Sequence, residues 1–223
     1  MTTVILVRHA HSVANEKGVL AGRTPGVQLS KKGIDQAINL KNRLGELKFK
    51  DIRISPLERC GATIKPWITE RQIAPSSITL DDDLSEVDYG HWTGKKLSML
   101  SLRRDWRVVQ KNPSQMIFPD GESLLQVQER AERALMRSVK QSGNGISLLV
   151  SHGDVIKSLI ATALQLDLNK FQKIVIDPAS ISVLDFSKSG FRLLHLNDQY
   201  TNFGYLNKSN RPSKTLIGGG AGR

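Results

Sequence analysis

Two short apolar runs, each followed by a histidine, constrain the fold more than any other feature of this sequence. Residues 4–7 lead into Arg8 and His9, and residues 146–150 end two positions before His152. Continuous apolar runs of this length are typical of strands covered on both faces, as in a parallel sheet. The carboxyl ends of parallel strands share one edge of the sheet, where ligands bind in open α/β folds. We therefore expect the two histidines to lie close together.

Segments with helical spacing alternate with the predicted strands. In residues 121–141 the apolar positions recur as on the buried face of an amphipathic helix. Pro66 lies inside another predicted helix, where a proline kinks or divides the helix. Strands that alternate with helices indicate an α/β fold with a mostly parallel sheet. The predicted helices cover residues 30–47, 56–71, 121–141 and 154–166, and the other predicted strands cover residues 51–55 and 77–80 and a hairpin at 180–186 and 191–196.

The chain is long enough for one domain with its own core. Its 223 residues include one cysteine, Cys60, which excludes an intrachain disulfide. No apolar run approaches the roughly 20 residues that cross a bilayer, and the run before Arg8 is too short for a signal peptide. We therefore expect a cytoplasmic protein without a membrane partner. We also expect residues 1–206 to form a single domain and the Gly-rich residues 207–223 to form a flexible tail.

The charge balance of the chain favours anionic ligands. The formal net charge is +11, and a basic surface attracts nucleic acid or small phosphorylated molecules alike. The basic residues form no dense tract, however, and aromatic residues make up only 5% of the chain. Binding of single-stranded nucleic acid relies on aromatic stacking platforms. We therefore predict a small phosphorylated substrate and no nucleic-acid partner.

The polar residues that follow the predicted strands suit a phosphoryl group. Arg8 precedes His9, and Arg59 lies about one helical turn beyond the strand at residues 51–55. The planar fork of arginine donates paired hydrogen bonds to adjacent oxygens, and neutral histidine can attack phosphorus and hold the group covalently. A helix that starts after Gly153 would point its positive end at the same place. This set predicts a site for a tetrahedral dianion that needs neither a metal nor a cofactor.

Five short motifs, in this order, resemble those of the histidine phosphatase superfamily, the phosphoglycerate-mutase-like proteins. The resemblance extends over most of the chain and implies a three-layer sandwich with a mostly parallel central sheet flanked by helices. At a finer level the chain resembles a small actinobacterial branch of phosphatases and phosphomutases. The motifs are Arg8-His9-Ala10-His11-Ser12 with Asn15, Ser55-Pro56-Leu57 with Arg59 and Thr63, Leu84-Ser85-Glu86 with Asp88-Tyr89-Gly90, Gly121-Glu122-Ser123, and Val150-Ser151-His152-Gly153.

The resemblance implies a role for each residue that matches a family motif. His9 would be the nucleophile that becomes phosphohistidine. Glu86 would protonate the leaving oxygen and then take a proton from the attacking water. The phosphoryl oxygens would be held by Arg8, Arg59 and His152, and further phosphate or substrate contacts would come from Asn15, Gly22, Tyr89 and Gly153.

One position departs from the family signature. Ala10 stands where the family typically has glycine, and alanine disfavours a positive φ angle. If this position required a positive φ, the loop would be strained and activity would be lower. The charged members of the site are all present, so an active enzyme is still expected.

These residues favour a metal-independent phosphomonoesterase that acts through phosphohistidine on a small metabolite. The resemblance also implies a comparison with the glycolytic mutases, in which the segment that corresponds to the one between Glu86 and Gly121 is longer and contains a basic and aromatic insert. The short segment of this chain therefore favours a phosphatase. Two alternatives stay open, a phosphoglycerate-type phosphomutase and a non-enzymatic relative that binds an anion or nucleic acid. The physiological substrate is left open, as is the choice between a monomer and a homodimer.

Overall fold

A six-stranded mixed sheet runs through the centre of the computed structural model, which describes residues 1–207. The spatial order of the strands is β3-β2-β4-β1-β5-β6. The first four in this order run parallel, whereas β5 is antiparallel to both β1 and β6. The prediction of a mostly parallel sheet is therefore confirmed. The strands are β1 (Thr2–Arg8), β2 (Asp51–Ile54), β3 (Thr79–Leu80), β4 (Ile146–Ser151), β5 (Ile181–Ser187) and β6 (Gly190–Asp198).

Strand β1 is apolar at successive positions because both of its faces are covered. Val4 and Leu6 contribute to the core on one side of the sheet, and Ile5 and Val7 to the core on the other. All four side chains are buried. Since successive residues of a strand point to opposite faces, an unbroken apolar run is what two covering layers require.

Helices cover both faces of the sheet and complete the three layers. Helices α2 and α3 contribute Leu40, Ile64 and Trp67 to the core that contains Ile5, whereas α6 and α7 pack on the opposite face. The predicted three-layer α/β sandwich is thus confirmed. The helices are α1 (Val13–Glu16), α2 (Lys31–Leu44), α3 (Glu58–Glu70), α4 (Leu97–Leu100), α5 (Arg104–Lys111), α6 (Leu124–Ser142) and α7 (Gly153–Ala163), and short 3₁₀ segments include Asp82–Leu84, Gly90–Trp92 and Leu168–Lys173.

Two helix starts lie later in the chain than the sequence predicted. Helix α6 begins at Leu124 rather than at residue 121, because Ser123 forms a capping box with Gln126. Helix α3 begins at Glu58, with Leu57 as its N-cap in extended conformation. Pro66 lies within α3 without dividing it, so of the two predicted effects, a kink or a division, the division is not observed.

The predicted end of the domain lies close to the end of the described residues. The Gly-rich segment, for which a flexible tail was predicted, lies outside the described residues from 208 onward. The boundary at residue 206 therefore stays a prediction. Within residues 1–207, no helix is both long and apolar enough to span a membrane.

Two helical glycines offer a matched test of how the loop at His11 packs against α2. A Cβ atom on Gly33 of α2 would lie 1.9 Å from the carbonyl oxygen of His11, whereas one on Gly61 of α3 would meet nothing within 4 Å. Alanine in an open helical position gains up to about 1 kcal/mol over glycine. We expect Gly61→Ala to raise the free energy of unfolding by about that amount, and Gly33→Ala to lower it by roughly 1–3 kcal/mol through overpacking.

Urea titration of the wild type and both variants measures the difference. An equal increase in the free energy of unfolding for both variants would show that the loop at His11 moves aside for the new methyl group without destabilising the fold.

Candidate active site

The ends of three parallel strands bring the predicted site residues together. The register of β1 and β4 pairs Arg8 with Ser151, so the next residues, His9 and His152, leave the sheet side by side. The His9 amide donates to the carbonyl oxygen of Ser151 at 2.9 Å. The two imidazole rings meet edge to face, with their centroids 5.1 Å apart. The expectation that the histidines lie close together is confirmed.

His9 is buried and is held in one tautomer by its own backbone. Its Nδ1 atom lies 2.8 Å from the carbonyl oxygen of Ala10. A carbonyl oxygen can only accept, so Nδ1 carries the proton and Nε2 of the neutral ring keeps its lone pair. Burial and the positive charges of Arg59 and Arg8 hold the pKa of His9 well below its usual value. The ring is therefore a neutral base with Nε2 available at physiological pH.

His152 is also neutral, but with its proton on the other nitrogen. Arg59 donates from Nη2 to Nδ1 of His152 at 3.1 Å, and arginine has no acceptor, so Nδ1 is unprotonated. The proton then lies on Nε2, which is 2.8 Å from the hydroxyl oxygen of Ser55. Complete burial, followed by the charge of Arg59, lowers the pKa of His152 well below its usual value. Ser55 therefore sets which nitrogen of His152 faces the site.

Arg8 and Arg59 carry buried donors that no described protein atom satisfies. Arg59 is 1% exposed and donates from Nη2 to the carbonyl oxygen of Gly22 at 2.8 Å. Arg8 donates from Nη1 to the carbonyl oxygen of Ile176 at 2.5 Å. Nη1 of Arg59 and Nε of Arg8 are buried without a partner. Because buried N–H groups are costly when unpaired, these donors favour an anionic ligand with several acceptor oxygens.

The N-terminus of α7 adds to the positive character of the same place. The helix has 11 residues and begins at Gly153, directly after His152. A Cβ atom on Gly153 would lie 3.4 Å from the guanidinium of Arg8, an ordinary van der Waals contact, so Arg8 lies directly against the start of this helix. The first amides of a helix and its dipole favour anions.

Glu86 faces the histidines from the loop after the 3₁₀ segment Asp82–Leu84. One carboxylate oxygen accepts from the Val87 amide at 3.0 Å, and the other lies 3.7 Å from Nδ1 of His152. Burial raises the pKa of this carboxyl to about 7, helped by the negative charge of Asp154 and opposed by Arg59. A carboxyl group with this pKa can give and take a proton near neutral pH.

A charged clamp that sequence reasoning missed fixes the Glu86 loop. Arg130 of α6 donates to the carbonyl oxygens of Ser85 at 2.6 Å and Glu86 at 3.2 Å, and pairs with Glu122 at 2.7 Å. Arg23 donates to the same Glu86 carbonyl at 2.9 Å and pairs with the same Glu122. The one sequence pattern that could have indicated this clamp is the position of Arg130, a basic residue near the apolar face of the predicted helix at 121–141.

A cavity of about 400 Å³ opens in front of His9, and the remaining predicted residues line it. The hydroxyl of Tyr89 donates to Asp154 at 2.9 Å. Asn15 uses its side-chain oxygen to cap α1 through Ser12. Gly22 takes part through the carbonyl that holds Arg59. Sequence reasoning missed several lining residues, which are Asp154, Lys157, Gln172, Ile174, Val175, Ile176 and Asp177.

Ala10 does not create the strain considered from the sequence. It is absent from the residues of segment 1–207 that have a positive φ, so alanine is compatible with its backbone. Its amide donates to the hydroxyl of Thr63 at 2.8 Å, and its side chain is buried. The family's glycine is therefore not needed for backbone geometry in this chain.

The geometry of the site fits an anion better than a metal ion. His9, Glu86 and His152 place one ligand atom each within 4.8 Å of one another. The Nδ1 atom of His152, however, already accepts from Arg59. Two guanidinium groups beside the cluster oppose a second positive charge and favour a negative one.

Comparison with known proteins identifies the family. Residues 4–199 match the family model described as the histidine phosphatase superfamily, branch 1, and the chain belongs to this superfamily. Phosphoserine phosphatase 1 of Hydrogenobacter thermophilus is similar at 31% identity over 202 residues, which cover 88% of this chain and 92% of that protein. The protein named probable phosphoglycerate mutase GpmB in Salmonella arizonae is 30% identical over 191 residues, or 85% and 87% of the two chains.

Solved structures agree with this assignment. The alpha-ribazole phosphatase of Shigella flexneri is similar with a TM-score of 0.78 and 25% identity, covering 89% of this chain and 98% of that one. The resemblance to the superfamily is thus confirmed, whereas the actinobacterial branch stays a prediction.

Proposed function

We propose that this chain is a phosphomonoesterase that passes the phosphoryl group of a small metabolite to His9 and then to water. The observation that carries the proposal is the free Nε2 lone pair of His9, placed beside unpaired buried donors of Arg8 and Arg59. Neutral imidazole is the nucleophile, and the guanidinium groups stabilise the charge that spreads over the equatorial oxygens. The similarity to proteins named phosphoserine phosphatase and alpha-ribazole phosphatase supports a phosphoric monoester hydrolase.

The reaction has two displacement steps. In the first, Nε2 of His9 bonds to phosphorus while the ester P–O bond breaks, and protonated Glu86 gives its proton to the leaving alkoxide. In the second, Glu86 takes a proton from water, whose oxygen attacks phosphorus, and the P–N bond breaks to release phosphate and free His9. A carboxyl group with a pKa of about 7 suits both duties.

The remaining residues hold the phosphoryl group and keep the reacting groups in place. Arg8 and Arg59 would contact the phosphoryl oxygens, with Gly153 at the start of α7. His152 would join them when its Nδ1 takes up a proton, because the unprotonated nitrogen has nothing to donate to a phosphoryl oxygen. Asn15 and Tyr89 lie on the wall of the same cavity and would meet the substrate there. Gly22 would act indirectly, because its carbonyl orients Arg59.

The cavity is poorly suited to a mutase that carries a second phosphoryl group. Among the described residues, the basic side chains that line it are Arg8, Arg59 and Lys157. Lys157 is already paired with Asp154 at 3.2 Å. Arg103 and Arg104, in the segment that replaces the longer insert of the mutases, do not line the cavity. Hydrolysis is therefore favoured over transfer between two positions of one substrate.

The decisive experiment compares phosphate release with phosphoryl transfer. The purified chain is given p-nitrophenyl phosphate, phosphoserine and 3-phosphoglycerate, and both inorganic phosphate and 2-phosphoglycerate are measured. We expect phosphate from the preferred ester and no accumulation of 2-phosphoglycerate. Net 2-phosphoglycerate would identify a mutase, and the absence of turnover on any ester would identify an anion-binding relative.

Activity is expected to survive the removal of divalent metals. The positive charge at the site comes from Arg8 and Arg59, and the helix start at Gly153 adds to it, so no Lewis acid is required. Hydrolysis of p-nitrophenyl phosphate is measured after dialysis against excess EDTA and again after magnesium is added. Equal rates are expected. A complete loss that magnesium restores would show that the cluster of His9, Glu86 and His152 works with a metal.

A further inference from the structure

The turn that contains Gly22 and Arg23 contacts two different parts of the active site. The carbonyl oxygen of Gly22 accepts from Arg59 at 2.8 Å, whereas the side chain of Arg23 donates to the carbonyl oxygen of Glu86 at 2.9 Å. Gly22 has a φ of +52°, in the left-handed region that favours glycine. One turn therefore holds both the guanidinium expected to bind the phosphoryl group and the backbone of the expected proton donor.

The guanidinium of Arg23 bridges two acceptors beside the site. Its Nε donates to the backbone carbonyl of Glu86, and its Nη2 donates to Oε1 of Glu122, both at 2.9 Å. The same Oε1 also accepts from the amide of Asp88 at 2.8 Å, so the Arg23–Glu122 pair holds the backbone at residues 86 and 88. Among the described residues, the cavity wall does not include Arg23, so this side chain acts on the reaction through its partners.

Arg23 differs from Arg130, the other arginine on the Glu86 carbonyl, in how far it belongs to the core. Arg130 is buried and also donates to the carbonyl oxygens of Asp83 and Ser85, so its loss would leave several buried acceptors unpaired. The side chain of Arg23 is 41% exposed and ends on a surface turn. Arg23 can therefore be replaced without opening the core, which makes its effect on the reaction measurable.

The carboxyl group of Glu86 takes its direction from the backbone. One of its oxygens accepts from the amide of Val87, the next residue, and the other lies 3.7 Å from Nδ1 of His152. A shift of the Glu86 peptide therefore moves the carboxyl with it. A misplacement of about 1 Å can slow a catalysed step by about 10²-fold, so the contacts that hold this peptide bear directly on the rate.

We propose that Arg23 is a positioning residue for the general acid, which keeps the Glu86 carboxyl directed at the departing oxygen by holding the Glu86 carbonyl and Glu122 together. The inference rests on the proposed phosphomonoesterase function and deepens it. Because Gly22 holds Arg59 one residue earlier, the group that binds the phosphoryl oxygens and the group that protonates the leaving oxygen are both fixed relative to the same turn. Arg23 thus serves the proton transfer without touching the substrate.

The test compares Arg23→Met on two kinds of ester. Methionine removes the donors but keeps much of the length of the side chain. We expect the phosphorylation step on an alkyl phosphate to slow by about 10- to 100-fold, the effect of a misplaced catalytic group. The same step on p-nitrophenyl phosphate should stay nearly unchanged, because nitrophenolate leaves without a proton. Single-turnover kinetics measures both, and equal losses on the two esters would overturn the proposal.

A conservative variant separates hydrogen bonding from charge. Arg23→Lys keeps the positive charge, but the ammonium is a point donor that lacks the planar fork needed to span two acceptors. It should therefore restore only part of the rate that Arg23→Met loses on the alkyl ester. Full recovery in Arg23→Lys would show that charge alone is required and would contradict a positioning role.

A matched control and a double variant show whether Arg23 acts through Glu86. Arg133 is also an exposed arginine, but it pairs with Asp83 at 3.0 Å rather than with Glu86 or Glu122, and Arg133→Met should leave both esters unaffected. In the Glu86→Gln background, Arg23→Met should cause no further loss on the alkyl ester, because no acid is left to position. Losses that multiply in the double variant would overturn the proposal.

A titration that needs no turnover separates this proposal from the proposed function. Burial raises the pKa of the Glu86 carboxyl to about 7, with Asp154 raising it further and Arg59 and Arg8 lowering it. In Arg23→Met we expect this pKa to fall towards its ordinary value, because a loosened carboxyl reaches water. Loss of a positive charge alone would raise the pKa instead. The carboxyl signal of ¹³C-labelled glutamate, assigned with Glu86→Gln, reports the value by NMR.

The outcomes of this titration are distinct. A lowered pKa of Glu86 in Arg23→Met supports the positioning role even if the wild type hydrolyses no ester. An unchanged or raised pKa, together with robust hydrolysis of p-nitrophenyl phosphate, overturns the role of Arg23 and leaves the phosphomonoesterase standing.

Discussion

Replacing His9 with alanine should abolish hydrolysis of every phosphomonoester that the wild type accepts. We expect a loss on the order of 10⁵-fold or more in kcat, because the variant lacks the atom that accepts the phosphoryl group and the double-displacement route is closed. Rapid-quench experiments with ³²P-labelled substrate should show an acid-labile, base-stable phosphoenzyme in the wild type and none in the variant. The wild type and the variant are sampled at the same reaction times.

The control for this experiment is a histidine outside the cavity. His195 on the edge strand β6 contacts the hydroxyl of Tyr205 at 2.6 Å and does not line the active site. His195→Ala should therefore keep turnover and phosphoenzyme formation. A phosphoenzyme that still forms in His9→Ala would assign the covalent step to another side chain.

Glu86→Gln should reduce the rate of phosphorylation most for substrates with poor leaving groups. Glutamine keeps the shape of the side chain but cannot give a proton to the departing oxygen. For an alkyl phosphate we expect the phosphorylation step to slow by about 10²- to 10⁴-fold, the usual contribution of general acid catalysis. For p-nitrophenyl phosphate the same step should slow far less, because nitrophenolate leaves without protonation. Single-turnover kinetics on both esters isolates this step.

The pH dependence of the same step tests the state of the carboxyl group. The pKa of Glu86 is raised to about 7, so the acid form is present below pH 7 and is lost as the pH rises through that value. For the alkyl ester, kcat/KM should therefore fall above about pH 7, and this limb should vanish in Glu86→Gln. Glu70, an exposed residue paired with Lys41, provides the control Glu70→Gln. Equal losses for good and poor leaving groups would remove Glu86 from the acid role.

The convergence of the reacting groups could be predicted because it depends on strand order alone. The apolar runs before Arg8 and His152 identify parallel strands with two covered faces, and parallel strands end at one edge. The adjacency of β1 and β4 and the register that pairs Arg8 with Ser151, by contrast, come from the structure. Glu86 was predicted as a site residue from its family motif, because no hydrophobic periodicity in the sequence places it near the histidines.

The outer part of the cavity could not be predicted because its residues come from distant segments with no shared pattern. Lys157 lies one turn into α7, whereas Gln172 belongs to a 3₁₀ segment and Ile176 to a loop. Their meeting depends on how that loop folds back over α7. The clamp formed by Arg23 and Arg130 on Glu122 could not be predicted for the same reason, since each contact joins parts of the chain that only tertiary packing brings together.

The unpaired guanidinium donors of Arg8 and Arg59 also bear on the resting state of the protein. Without an anion, two positive charges share a buried site with neutral histidines, which opposes folding. Orthophosphate, the product, satisfies the same donors and is present in every cell. A ligand at a hundred times its Kd stabilises a fold by about 2.7 kcal/mol, or roughly 5–10 °C in a protein of this size. We therefore expect orthophosphate to be the ordinary occupant of this site, so that a substrate must displace it before any chemistry begins.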